Sequence, residues 1–175
     1  WPNGTERRRF PPAALRVDAA HGFAYPAIEL AIAALPALAA AQGIAAAAIH
    51  RSHHFGVAGH HAERLAASGL VALVLGNTPK AMALHGGRQA RLGTNPLAFA
   101  APEAGRPPLV IDLALSTVAR GKIMAAAQKG AAIPEGWALD RDGKPTTDPK
   151  EAIERGSLFP IGGAKGAMLA LAFEL

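Results

Sequence analysis

Residues 43–68 read GIAAAAIHRSHHFGVAGHHAERLAAS, and the change of pattern across them decides the fold class. Gly43 to Ile49 is an apolar run that predicts a buried strand. Ala58 to Ser68 sets His60, His61, Glu63 and Arg64 among alanines and a leucine, which predicts a helix. Between them, Ser52-His53-His54-Phe55-Gly56 forms a strand-to-helix loop, a segment in which a rigid scaffold presents chemistry. Imidazole is the side chain that titrates nearest neutrality, so a histidine here can give or take a proton at working pH.

Upstream, a helix is predicted over about Pro26 to Ala41, ended by Gly43. Residues 1–22 read as irregular, punctuated by Pro2, Gly4, Pro11 and Pro12. Downstream, Leu70 to Leu75 is a second buried strand by pattern, and Asn77, Thr78 and Pro79 make a loop. Gly86-Gly87 and Gly93-Thr94-Asn95-Pro96 are turns, followed by a strand from Leu97 to Ala101. The polar stretch Pro102 to Pro108 between two apolar runs predicts a hairpin, with Leu109 to Leu113 returning. A helix over Thr117 to Lys129 ends at Gly130. A turn-rich excursion around Asp142-Gly143, a short helix near Lys150 to Arg155 and an apolar helix after Gly162 to Gly166 complete the chain. Strands and helices alternate, so residues 23–175 are expected to form one layered α/β or α+β core.

The chain has 175 residues, half of them hydrophobic and 18% charged, which suits a globular domain or part of a larger one. Without cysteine there is no disulfide framework and no thiolate metal site, a composition compatible with a reducing, cytoplasmic setting. The net charge of +5 is concentrated at Arg7, Arg8 and Arg9, and aromatics are only 5%. That is no basic stripe with stacking platforms, so a nucleic-acid partner is not expected. Leu30 to Ile49 is uncharged and long enough to suggest a membrane span, but Pro36, the Gln42-Gly43 break and the alanine content argue against it. Trp1 to Phe10 is polar and arginine-rich, unlike a secretory signal.

Four segments carry candidate chemistry. His53, His54, His60 and His61 invite a zinc reading, but adjacent histidines point apart, and His60 and His61 are expected on a helix surface; no metal site is assigned. Gly93-Thr94-Asn95-Pro96 is either a plain turn or one that exposes the Thr94 hydroxyl to a small polar ligand. Asp112 emerges from the apolar Leu109-Val110-Ile111 run, where a carboxylate needs a donor, caps the next helix, or serves a site. Gly162 to Gly166, with Lys165, could cradle a phosphate before a helix. It lacks P-loop spacing, and no GxGxxG follows any strand, so the Rossmann fingerprint is missing.

The order of these segments is more specific than any one of them. Ser52-His53-His54-Phe55-Gly56, Gly93-Thr94-Asn95-Pro96-Leu97, Asp112-Leu113-Ala114-Leu115-Ser116, Ile133-Pro134-Glu135-Gly136-Trp137-Ala138, Pro145-Thr146-Thr147-Asp148-Pro149 and Gly162-Gly163-Ala164-Lys165-Gly166 follow one another. From Leu15 to Leu175 the chain resembles the malate/L-lactate dehydrogenase family of NAD(P)-dependent oxidoreductases without a Rossmann fold. The resemblance implies a mixed, largely antiparallel sheet flanked by helices, a homodimer, and NAD or NADP as cofactor. It implies hydride transfer between that cofactor and a 2-oxo or 2-hydroxy acid, or alternatively a cyclic 2-imino acid. By the same resemblance His54 is the proton-handling histidine, with Asp112 beside it in the catalytic set. His53, His54, Phe55, Gly56, Thr78, Asp112, Leu113, Ala114, Lys165 and Gly166 would contact the cofactor, and Thr94 and Asn95 the substrate.

Two departures from the family pattern stand out. The N-terminal Ser-His-Gly motif, whose histidine is the proton donor in several members, has no counterpart among these residues, and the C-terminal part of the fold is expected to be absent from them. The chain is therefore expected to be the cofactor-binding core. Leu115 stands where many members carry threonine. Two rivals are a non-catalytic nucleotide-binding remnant and a histidine-based metal binder. Nucleotide affinity without turnover would mark the first, and tightly held zinc the second.

Overall fold

A computed structural model describes residues 6–10 and 12–175. In chain order it comprises β1 (Glu6–Phe10), β2 (Ala14–Asp18), α1 (Tyr25–Gln42), β3 (Ala46–His50), α2 (Ala58–Ala66) and β4 (Ala72–Leu75). There follow β5 (Met82–Ala83), β6 (Ala90–Leu92), β7 (Leu97–Glu103), β8 (Arg106–Leu113) and α3 (Arg120–Lys129). The last elements are β9 (Ala138–Leu139), β10 (Pro145–Thr146), α4 (Pro149–Glu154), β11 (Ser157–Leu158) and α5 (Ala164–Glu174). The architecture is mixed α/β and not Rossmann. The described residues group into two compact units: those up to 74 with 98–111, and residues 75–97 with 112–175.

The first unit carries two three-stranded sheets, ordered β1-β2-β3 and β4-β7-β8. Residues 1–22, expected to be irregular, hold two of those strands among the described residues: β1 and β2 pair antiparallel, with Glu6 opposite Asp18 and Phe10 opposite Ala14. Part of that signal was in the sequence. Leu15 and Val17 are buried while their neighbours are not, a period of two that marks a half-buried strand. Pro2 and Pro11 lie outside the described residues.

β3 pairs parallel with β2 and sits at the edge of its sheet. It is not the buried strand expected, since none of its residues is fully buried. β4 likewise occupies an edge, buries only Ala72, and exposes Leu73 and Leu75. An apolar run predicts a strand correctly but cannot say whether the strand is central.

α1 starts at Tyr25-Pro26, where proline's missing N–H costs nothing, and ends at Gly43, whose left-handed backbone donates to the Ala39 carbonyl at 2.8 Å. Among the described residues it alone is long and apolar enough to cross a membrane. Here its Ala27 and Ala31 pack with Val17 and Ala19. The Arg64 guanidinium of α2 binds the Glu29 carboxylate of α1 through both nitrogens and holds that carboxyl below its ordinary range. α2 turns Ala58, Ala62, Leu65 and Ala66 onto Ala72, Ala98 and Ala100. That close, alanine-lined contact fixes the start of α2, and with it the loop before it.

The second unit is built on a five-stranded sheet ordered β10-β9-β11-β5-β6, in which every recorded pair except β11 with β5 is antiparallel. Its neighbouring residues Ala81 and Met82 belong to different clusters, as alternation along a strand requires. Met82 packs with Leu92, Leu115 and Ala170 of α5, while Ala81 packs with Ile123 of α3, Ala152 of α4 and Leu158. Met82 and Leu115 are almost fully buried, each contributing about 1.5–3 kcal/mol of transfer free energy. The excursion over residues 133–149 holds β9 and β10, paired across Asp142-Gly143. Asp148 then caps α4, accepting from the Lys150 N–H at 2.8 Å.

Candidate active site

In the first unit the loop between β3 and α2 is stitched to the segment leaving β2. Ala19 N–H donates to the His50 carbonyl at 3.0 Å, His21 N–H to the Arg51 carbonyl at 2.6 Å, and His53 N–H to the Gly22 carbonyl at 2.8 Å. Ala24 N–H donates to the His54 carbonyl at 3.2 Å. Ala20, His21 and Arg51 all have positive φ, of 50°, 59° and 52°. Such backbone is disfavoured for residues with a Cβ and persists only where surrounding bonds impose it.

The imposing group is Asp18. Its carboxylate accepts from Ala20 N–H at 2.8 Å and from Arg51 Nε at 2.9 Å, with a second contact to the Arg51 guanidinium. These bonds, that from Arg51 first, hold the Asp18 carboxyl down at about 2 against an ordinary 3.8. A depressed carboxyl contributes stability above its unfolded value and loses it as the pH falls through its folded value. We therefore expect wild type to lose thermal stability between roughly pH 4 and pH 2 in a step absent from Asp18→Asn, read from melting temperature against pH. The step should shrink in high salt, because the Arg51 side chain is half exposed.

His53 and His54 are exposed and Phe55 is half-buried. The Nδ1 atom of His54 accepts the Gly56 N–H at 2.8 Å. An accepting Nδ1 carries no proton, so the neutral ring holds its proton at Nε2, the atom farther from the backbone. Gly56 has φ +81°, and a Cβ there would stand 2.6 Å from the Tyr25 hydroxyl. Glycine meets both demands.

His61 was expected on the surface of α2. It is buried instead, 4% exposed, with Nε2 2.6 Å from the Phe55 carbonyl oxygen. Its position, four residues before Leu65 on the buried face, was the available signal. Asp18, Arg51 and Tyr25 also join this site unannounced, because the contacts that recruit them span long sequence separations. His60 stays exposed, and among the described residues no three His, Asp or Glu side chains gather to hold a metal ion.

The second unit brings together Thr78, Thr94 and Asn95. Thr78 Oγ1 accepts from Thr94 N–H at 2.8 Å and lies 3.2 Å from Thr94 Oγ1. Asn95, at φ 30°, is completely buried. Its Oδ1 accepts from Thr78 N–H at 3.0 Å, while its Nδ2 donates to the Ala170 carbonyl at 3.1 Å and to Glu174 at 2.7 Å. Expected to touch substrate, Asn95 has its side chain spent inside the unit. Gly93 precedes the pair because a Cβ there would collide with Asn95 Oδ1 and the Thr78 carbonyl.

Asp112 is exposed at the end of β8, with Leu113 and Ala114 half-buried beside it. Leu115, anchored in the core, donates its N–H to the Thr94 carbonyl at 2.7 Å and so ties this strand end to the threonine turn. Gly163 caps α5 with φ 63°, and Lys165 is exposed in its first turn. Gly166 is buried, where a Cβ would collide with the Ile161 carbonyl. His53 to Gly56 thus lie in the first unit, and Thr78, Thr94, Asn95, Asp112 to Ala114, Lys165 and Gly166 in the second.

Comparison with known proteins adds to this geometry. The malate/L-lactate dehydrogenase family model matches residues 6–175. (2R)-3-Sulfolactate dehydrogenase (NADP(+)) of Chromohalobacter salexigens is 58% identical over 161 residues, covering 92% of this chain and 48% of its own. Δ1-Pyrroline-2-carboxylate/Δ1-piperideine-2-carboxylate reductase of Pseudomonas putida is 48% identical over 161 residues, covering 92% and 47%. Among solved structures, Δ1-piperideine-2-carboxylate reductase from Pseudomonas syringae superposes with a TM-score of 0.93 at 43% identity, over 98% of this chain and 52% of that one. The chain spans about half the length of the curated relatives it matches. On the family match and these identities, the chain belongs to the malate/L-lactate dehydrogenase family.

Proposed function

We propose that the chain serves an NAD(P)-dependent oxidoreductase that moves a hydride between the nicotinamide and a 2-oxo or 2-hydroxy acid. The observation that carries this reading is the His54 ring, exposed, tethered at Nδ1 and carrying its proton at Nε2. The residues present fit the cofactor by the chemistry of their donors. The Thr78 and Thr94 hydroxyls, Lys165 and the N-terminus of α5 offer hydrogen bonds and positive charge to anionic groups. A bound nicotinamide supplies or takes the hydride.

The chain's own part is to handle proton and charge. In this reading His54 Nε2–H donates to the substrate oxygen that gains negative charge as the carbonyl carbon is reduced. Thr78 Oγ1 already accepts the Thr94 N–H, so its own proton is available to Thr94 Oγ1, which can pass a hydrogen bond outward to a carboxylate. Asn95 holds this pair from beneath. Asp112, exposed at the end of β8, is a further candidate within the second unit. A cytoplasmic homodimer without nucleic-acid or membrane partners belongs to the same reading.

A second reading, reduction of a cyclic 2-imino acid, is supported by the pyrroline- and piperideine-2-carboxylate reductases among the relatives. The two part in a spectrophotometric assay of NADPH and NADH oxidation with sulfopyruvate, pyruvate or Δ1-piperideine-2-carboxylate. The oxo-acid reading expects faster turnover with an oxo acid. Turnover confined to the cyclic imine would replace it with the second reading, and saturable nucleotide binding without any turnover would leave a binding remnant.

A further inference from the structure

Two histidines of the first unit, His54 and His61, are bonded to opposite ends of one peptide group. His61 Nε2 lies 2.6 Å from the Phe55 carbonyl oxygen, and the Gly56 N–H lies 2.8 Å from His54 Nδ1. Phe55 C=O and Gly56 N–H are the two halves of a single planar unit, whose dipole points from one imidazole to the other. A carbonyl oxygen only accepts, so His61 Nε2 must carry a proton. His54 Nδ1 faces a donor, so it must not.

From this geometry we infer that His61 is a positioning residue that sets the protonation pattern of His54 through the Phe55–Gly56 peptide. This inference rests on the reading of His54 as the proton-handling group. The sequence of bonds is His61 Nε2–H to the Phe55 oxygen, then Gly56 N–H to His54 Nδ1, leaving the His54 proton at Nε2 for the ligand. Each bond polarises the next, since a carbonyl that accepts a strong hydrogen bond makes its own amide N–H a better donor.

Three further observations fit. His61 Nδ1 is buried and has no hydrogen-bond partner, as a ring committed to Nε2–H leaves it. A buried nitrogen without a partner costs free energy, so what keeps a histidine at this apolar position is its other nitrogen. The ring is also fenced by Tyr25 and Phe55, with centroids 6.3 and 6.4 Å away, which limits how the Nε2–H can be aimed. Gly56 takes φ +81°, so only a glycine lets the peptide take this orientation without backbone strain.

The test is nitrogen-15 NMR of the imidazole rings in the full chain, which reads tautomers directly and does not depend on nucleotide binding. In wild type both neutral rings should show a protonated Nε2 and a bare Nδ1. A proton on Nδ1 of either neutral ring overturns the proposal. In His61→Leu the His54 ring should become a tautomer mixture, and hydrogen exchange at the Gly56 amide should accelerate by about tenfold or more. His61→Gln, whose side-chain amide keeps a donor, should hold His54 near its wild-type state. A His54 ring unchanged in His61→Leu, or lost equally in both variants while each stays folded, makes His61 merely structural. Should His61→Leu fail to fold, the wild-type tautomers and His61→Gln still decide the matter. If these results hold but no nucleotide binds, the reading of His54 fails while the relay stands.

Discussion

Gly56→Ala should weaken NAD(P)H binding about as much as removal of the His54 ring, by at least about tenfold, while leaving a folded protein of reduced stability. An L-residue at φ +81° costs about 1–2 kcal/mol, and the added methyl would stand 2.6 Å from the Tyr25 hydroxyl. Tyr25 is nearly half exposed, so its ring can swing aside and the steric part is small. Relief of the backbone strain is what matters, because turning the Phe55–Gly56 peptide withdraws the N–H from His54 Nδ1 and the carbonyl from His61. Thermal melting and a nucleotide titration separate the two effects. Pairing Gly56→Ala with Tyr25→Phe removes the hydroxyl contact, and the pair should recover little affinity. Full recovery would trace the effect to the clash and not to the peptide.

Asn95→Ala should be the costliest single change in the second unit. The side chain is fully buried and makes three hydrogen bonds, to Thr78 N–H, the Ala170 carbonyl and Glu174. Orphaning a buried partner costs about 1–3 kcal/mol, and alanine also tolerates positive φ less well than asparagine. A total near 3 kcal/mol corresponds to a fall of roughly 6–12 °C in melting temperature for a chain of this size. The Thr78–Thr94 pair, which Asn95 holds from beneath, should loosen with it. Asn95→Asp keeps the Oδ1 acceptor but sets a carboxylate against Glu174, so it should rescue little. A melting temperature within a degree or two of wild type would mean that the asparagine bonds are dispensable.

The legible parts of this molecule are those whose signal is local. α1 from Tyr25 to Gln42, α2 from Ala58, the β7–β8 hairpin and α5 follow from periodicity, glycine caps and apolar runs. The His54 loop was visible because a strand-to-helix transition encloses it. What escaped depends on partners distant in sequence. β1 has no apolar alternation, and β5, β9, β10 and β11 are two-residue strands defined by the neighbours they bond. Asp18 meets Arg51 across 33 positions, and Asn95 meets Glu174 across 79. The apolar runs forming β3 and β4 read as buried strands but lie at sheet edges, because an apolar run does not report how many neighbours a strand has. His61 escapes the sequence because a polar residue on an otherwise buried helical face reads as a surface one.

The most direct test of the central claim, that the His54 loop belongs to a nicotinamide site, is a fluorescence titration of the chain with NADPH and NADH, run beside His54→Ala. Saturable binding is expected, weakened at least about tenfold by the substitution, which removes the imidazole that this reading sets against the nicotinamide. Binding of equal affinity in wild type and His54→Ala would place the nicotinamide away from this loop and contradict the account.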